Sequence, residues 1–160
     1  MTIEYTYIDS PVGQVWVAWC RDGLVSVGFA DQSKGAQVDP DWEYNAALRC
    51  PAVDQLKSYF AGSLREFDLP LVLRGTDFQK RVWQQLAEIR YGETTTYGAI
   101  AAQLGKPTAS RAVGTANGQN PIAIVLPCHR VIGQTGKLTG YAGGLDKKEK
   151  LLRFERDHLG

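Results

Sequence analysis

The chain has 160 residues, with 18 Lys+Arg against 17 Asp+Glu and a formal charge of +1. That length suits one medium domain or two small ones sharing an interface, and the near-neutral charge argues against a strongly basic DNA-coating protein. The longest strongly apolar run, Ile122 to Leu126 between two prolines, is far too short to cross a bilayer. The opening MTIEYTYIDS lacks a basic stretch followed by an apolar one, so no signal peptide and a cytoplasmic location are expected. Cys20, Cys50 and Cys128 are an odd number at wide spacing, which is neither a disulfide framework nor a CxxC zinc pattern. Cys20 and Cys50 read as small buried residues.

The segments IEYTYID (3–9), GQVWVAWC (13–20) and LVSVGF (24–29) alternate or are rich in β-formers, with turns between them. They predict a three-stranded antiparallel meander. Residues 30–47 read as a surface loop. Val53, Leu56, Tyr59 and Phe60 have helical spacing, so a helix over 52–61 should cover one face of the sheet. LPLVLRG then reads as a short strand or extended linker.

The second half reads mainly as helix. Thr76 or Asp77 caps a helix carrying Phe78, Val82, Trp83, Leu86 and Ile89. GETTTYGAIAAQLG gives another, stopped by Gly105, and KPTASRAVGTANG a third with Pro107 and Thr108 at its start. The last two have the proportions of a helix-turn-helix, which is common in proteins that never touch DNA. The third helix is unusual: Ala109, Ser110, Ala112, Gly114, Thr115 and Ala116 are small, and Arg111 is the one long charged side chain. Tight helix packing and close approach to a groove explain this equally well. Charge adds an asymmetry. Residues 1–74 hold 6 Lys+Arg and 10 Asp+Glu, net −4, and residues 75–160 hold 12 and 7, net +5. An anionic partner would meet the second half.

NPIAIVLPCHRVIG, residues 120–133, places a cysteine and a histidine together after an apolar run that reads as a buried strand. A nucleophilic cysteine needs thiolate, a histidine can take the proton, and a carboxylate can orient the histidine. On a strand, neighbours face opposite ways, so Cys128 and His129 communicate only if the backbone turns or a water bridges them.

RAVGTANGQNPIAIVLPCHRVIG with TGYAGGLDKKEKLLRFE resembles the O6-alkylguanine-DNA alkyltransferases, whose active-site signature is the PCHRVIG stretch. The resemblance is dense from Thr76 to Glu155 and thinner before it. It implies an α/β (α+β) fold: an N-terminal subdomain, 1–73, with a ribonuclease H-like antiparallel sheet, and a mostly helical C-terminal subdomain, 74–160, with a helix-turn-helix, DNA binding and the active site. It implies irreversible, single-turnover transfer of the alkyl group from O6-alkylguanine, and from O4-alkylthymine, to Cys128 after nucleotide flipping in duplex DNA. Cys128 then stands as acceptor, His129 as proton relay through water and Glu155 as its orienting carboxylate. Asn120 stands as the hinge before the active-site strand, and Tyr97 as the side chain that helps rotate the nucleotide and protonate the base. Arg111 would fill the vacated stack, on a minor-groove helix whose Ala112, Gly114 and Thr115 meet DNA. Val131, Tyr141 and Ala142 would line the base pocket. No cofactor and a monomer are implied, with cooperativity on DNA left open.

Two departures matter. Some relatives hold zinc with two cysteines and two histidines; here only Cys20 falls near such a place, Met1 and Val25 occupy others, and no zinc is expected. Ala123 stands where analogue-sensitive relatives carry a second proline. The rival readings are an alkyltransferase-like lesion binder, which would lack the cysteine, a DNA-binding thiol sensor and a Cys-His hydrolase.

Overall fold

The computed structural model describes residues 2–160. The first three strands, β1 (Glu4–Ile8), β2 (Val15–Cys20) and β3 (Gly23–Phe29), form the antiparallel meander. A fourth, β4 (Glu43–Tyr44), pairs in parallel with β1, so the sheet order is β3-β2-β1-β4. This strand lies inside the segment read as loop. Both of its residues are exposed, with the Tyr44 ring against those of Tyr5 and Tyr7, so no burial pattern announces it. On one face Val15, Val17, Leu24, Val27 and Phe29 join the main core, and on the other Ala18, Cys20 and Val25 form a smaller cluster. Gly28 is required by close approach: a Cβ there would lie 2.2 Å from the Trp16 ring. Helix α1 (Pro51–Phe60) buries Ala52, Val53, Leu56 and Tyr59. The LPLVLRG segment runs beside β3, where Leu24 N donates to Pro70 O and Val72 N to Leu24 O, both at 2.8 Å.

Helix α2 (Asp77–Leu86) begins with a capping box in which Thr76 and Gln79 satisfy each other's backbone N–H. Thr96 caps α3 (Tyr97–Gln103), and Gly105, at φ 73°, takes the left-handed conformation that ends it. Helix α4 (Ser110–Gly118) starts later than its sequence suggests. Pro107 and Thr108 belong to a turn closed by Ala109 N to Lys106 O at 2.9 Å, and no side chain caps the helix. Helix α5 (Leu145–Asp157) closes the chain, and β5 (Thr95–Thr96) pairs in parallel with β6 (Val131–Ile132).

The apolar run before Cys128 is not a strand. Ile122 makes a single parallel bridge to Val27 and residues 123–125 then turn, with Ile124 at φ 72°, a region that costs a β-branched residue about 1–3 kcal/mol. The edge of the sheet holds this turn. Val27 N donates to Pro121 O and Ala123 N to Val27 O, each at 3.0 Å, while Ser26 Oγ donates to Pro121 O at 2.9 Å. The N-terminal sheet thus holds the segment that leads into Cys128.

Candidate active site

Cys128, His129 and Arg130 form a single 3-10 turn, all three buried. A 3-10 turn, unlike a strand, does not set neighbouring side chains on opposite faces. Asn120 braces the preceding bend: its Nδ2 donates to Leu126 O at 2.8 Å and its Oδ1 accepts from Ile122 N at 3.0 Å.

Glu155 reaches this turn from α5 and is fully buried. Its Oε2 accepts from Tyr59 Oη at 2.6 Å, pairs with His129 Nε2 at 2.7 Å and accepts from Arg130 Nη2 at 2.9 Å. Its Oε1 accepts from Arg130 Nε at 2.8 Å and Gly92 N at 3.3 Å. Burial alone would push this carboxyl's pKa up, but the bonds and charges of His129 and Arg130 win and hold it well below the usual range. Glu155 is therefore ionised and acceptor-only, so His129 carries its proton on Nε2. Nδ1 is left with a lone pair and has no hydrogen-bond partner among the described residues.

Burial lowers the His129 pKa, with Glu155 pulling the other way. Burial raises that of Cys128, opposed by Asn120, Lys148 and Tyr141. The resting pair is thus neutral thiol and neutral imidazole, and thiolate forms only when a base takes the proton.

On the solvent side an open groove is lined by Arg111, Gly114 and Thr115 of α4, Tyr97 of α3, Tyr141 and Ala142, and the 31–36 segment opposite. Arg111, Ala112 and Thr115 are exposed, while Val113, Ala116 and Asn117 face the core. Thr139 Oγ1 donates to Tyr97 Oη at 3.0 Å, tying α3 to the loop that carries Tyr141. Beneath the groove, Cys128 shares a cavity of about 10 Å³ with Asn117, Asn120, Ala123, Tyr141 and Ala142, room for about one water. Val131 is fully buried at the start of β6 and lines neither space. The structure thus gathers Cys128, His129, Glu155 and Asn120 in one centre and Tyr97, Arg111, Gly114, Thr115, Tyr141 and Ala142 along one groove. Ala112 lies on a neighbouring shallow face with Arg111. Of the places assigned to zinc, Met1 lies outside the described residues, and no cluster of three or more His, Cys, Asp or Glu gathers among those described.

Comparison with known proteins decides what this assembly belongs to. Residues 3–73 match the family model for the 6-O-methylguanine DNA methyltransferase ribonuclease-like domain, and residues 77–157 match its DNA-binding domain. The chain belongs to the O6-methylguanine-DNA methyltransferase family. A methylated-DNA–protein-cysteine methyltransferase of Mycolicibacterium paratuberculosis is 54% identical, over 98% of this chain and 94% of that one. One from Methanosarcina barkeri is 52% identical, over 97% and 98%. The crystal structure of Mycobacterium tuberculosis OGT in complex with DNA superposes with a TM-score of 0.90 at 51% identity, covering 97% of this chain and 94% of that one. As a family member the chain is a DNA-repair methyltransferase whose acceptor is a protein cysteine.

Three residues of this methyltransferase centre escape a reading of the sequence. Arg130 neutralises Glu155, also donates to Ile89 O at 2.7 Å, and had a signal in its place beside His129. Tyr59 reads as core, and nothing in sequence distinguishes a core tyrosine from one whose hydroxyl reaches Glu155. Lys148 lies in a charge run that reads as solvated, yet it is fully buried, with Nζ donating to Thr139 O at 2.8 Å. Burial brings its pKa down to about 8.

Proposed function

We propose that this chain carries out irreversible, single-turnover transfer of an alkyl group from O6-alkylguanine, and from O4-alkylthymine, in duplex DNA to Cys128. The observation that supports it is the buried network under the nucleophile, in which Glu155 fixes His129 with its Nδ1 lone pair free. In this reading Nδ1 takes the thiol proton through a water, and the sulfur displaces the base oxygen at the alkyl carbon. The C–O bond breaks, the S–C bond forms, and the proton ends on the departing base, with Tyr97 as its last donor. The thioether has no good leaving group, so the thiol is not regenerated.

O6 of guanine is out of reach inside a duplex, so the nucleotide must leave the stack, at a cost of a few kcal/mol. In this reading Arg111, exposed on a helix of small residues, fills the gap, with Ala112, Gly114 and Thr115 against a minor groove. Tyr141, Ala142 and the Val131 backbone then meet the base. The chain acts as a monomer in the cytoplasm without a cofactor, with 1–73 supporting and 74–160 binding DNA and reacting.

The stoichiometry tests this. With methylated duplex in large excess, transfer should plateau at one methyl per protein, and Cys128→Ala should transfer none while still binding DNA. Continued turnover beyond one methyl would reject the single-use reading.

A further inference from the structure

Asn117 lies on the buried side of α4 and lines the cavity at Cys128. Its Nδ2 donates to Cys128 O at 3.4 Å, which fixes the orientation of the amide, since turning it over would set Oδ1 against a carbonyl. Oδ1 has no hydrogen-bond partner among the described residues, although the side chain is only 3% exposed. A buried acceptor left unpaired costs about 1–3 kcal/mol, so one beside Cys128 is met by the water that the cavity can hold or by a donor on whatever displaces it.

The inference rests on the proposed function, in which an alkylated base enters this cavity. The cavity is far smaller than a purine, so the neighbouring 140–143 segment, which shares its wall, must yield as the base enters. Asn117 sits instead on a helix held by Trp83 Nε1 donating to Ala116 O at 2.9 Å, and stays in place. Alkylation at O6 removes the N1 proton of guanine, so its N1, N3, N7 and O6 only accept. The one donor on the edge of the base is the 2-amino group. O4-alkylthymine offers no donor, and O6-alkylhypoxanthine differs from the guanine lesion only in lacking that amine.

We propose that Asn117 is a specificity-determining residue: its Oδ1 accepts a hydrogen bond from the 2-amino group and so ranks O6-alkylguanine above O4-alkylthymine. A substrate without the amine leaves Oδ1 unpaired in the closed complex, whereas the guanine lesion satisfies it.

The test uses the full chain and single-stranded oligonucleotides carrying O6-methylguanine or O6-methylhypoxanthine, so that opposite-strand pairing plays no part. Single-turnover transfer rates are measured for wild type, Asn117→Leu and Asn117→Ala. Wild type should favour the guanine lesion by about 10-fold, and both variants should bring that ratio to within about 2-fold of unity. A ratio unchanged in the variants, even with both rates lowered, would assign Asn117 to cavity shape alone and overturn the inference. So would a wild type that shows no preference, whatever the variants do. Failure of wild type to transfer from either oligonucleotide, and from the O6-methylguanine strand annealed to its complement, would instead remove the proposed function, and this inference with it.

Discussion

Beneath Cys128 the side chains of Tyr59, His129 and Arg130 are buried and bonded to Glu155, whereas on the groove side Arg111 and Thr115 stand in solvent. The lower region holds a carboxylate that receives bonds from a helix of the first half, a turn of the second and the backbone at Gly92. The upper region has a long cation with no ion pair among the described residues. Orienting a proton acceptor demands fixed geometry, while meeting a large polyanion demands an unspent charge and a surface that can approach closely. The two should therefore respond differently to substitution.

The largest expected effect comes from breaking the lower region. Glu155→Gln leaves the Arg130 guanidinium buried without its counter-charge, and should reduce stability by about 3–5 kcal/mol in urea unfolding. A loss below about 1 kcal/mol would mean that the network is not the anchor described here.

Acid provides a second way in. Both His129 and Glu155 have folded pKa values held below their unfolded ones. Each therefore contributes stability that is present above its unfolded pKa and lost as pH falls. The unfolded values are about 6.5 and 4.3, so stability should be level above neutrality, decline below about 6.5, and fall more steeply in the carboxylate range. His129→Gln should flatten the first decline. A profile that is level down to the carboxylate range in the wild type would show that His129 is not held neutral.

Tyr59→Phe removes one donor to Glu155 and keeps the packing, so a smaller loss of about 1.5–3 kcal/mol is expected. Transfer from free modified base should slow alongside it, because the hydroxyl acts on the relay and not on DNA.

Arg111→Ala marks the other extreme. Its stability should stay within about 0.5 kcal/mol of wild type, while transfer from duplex DNA falls sharply and transfer from the free modified base does not. A phosphate contact alone would instead give a duplex deficit that shrinks steadily as salt is lowered. Equal losses on duplex and free base would assign Arg111 a folding role and erase the contrast between the two regions.

What the sequence made legible follows the same division of physical causes. Helix α1 announces itself because burial on one face imprints a period on the chain, whereas β2 and β3, buried on both faces, are marked by β-forming residues between tight turns. Capping chemistry marked the start of α2 through Thr76, and Gly105 marked the end of α3. The run from Ile122 to Leu126 misled because apolar composition reports burial and says nothing of dihedral angles, and here the backbone turns through a left-handed Ile124. Strand β4 was invisible because its two exposed residues carry no pattern. Resemblance pointed to Cys128, His129 and Glu155. Tyr59, Arg130 and Lys148 needed coordinates, since each looks like an ordinary core or surface residue until its partner is seen across the fold.

In the proposed function the buried network activates Cys128, and no other thiol, as the acceptor. Cys20 and Cys50 are also free and buried, which makes them internal controls. The direct measurement is peptide mapping by mass spectrometry after incubation with duplex DNA carrying O6-methylguanine. One methyl is expected on the peptide that contains Cys128, and none on those containing Cys20 or Cys50. A methyl on either of the other two, with Cys128 unmodified, would contradict it.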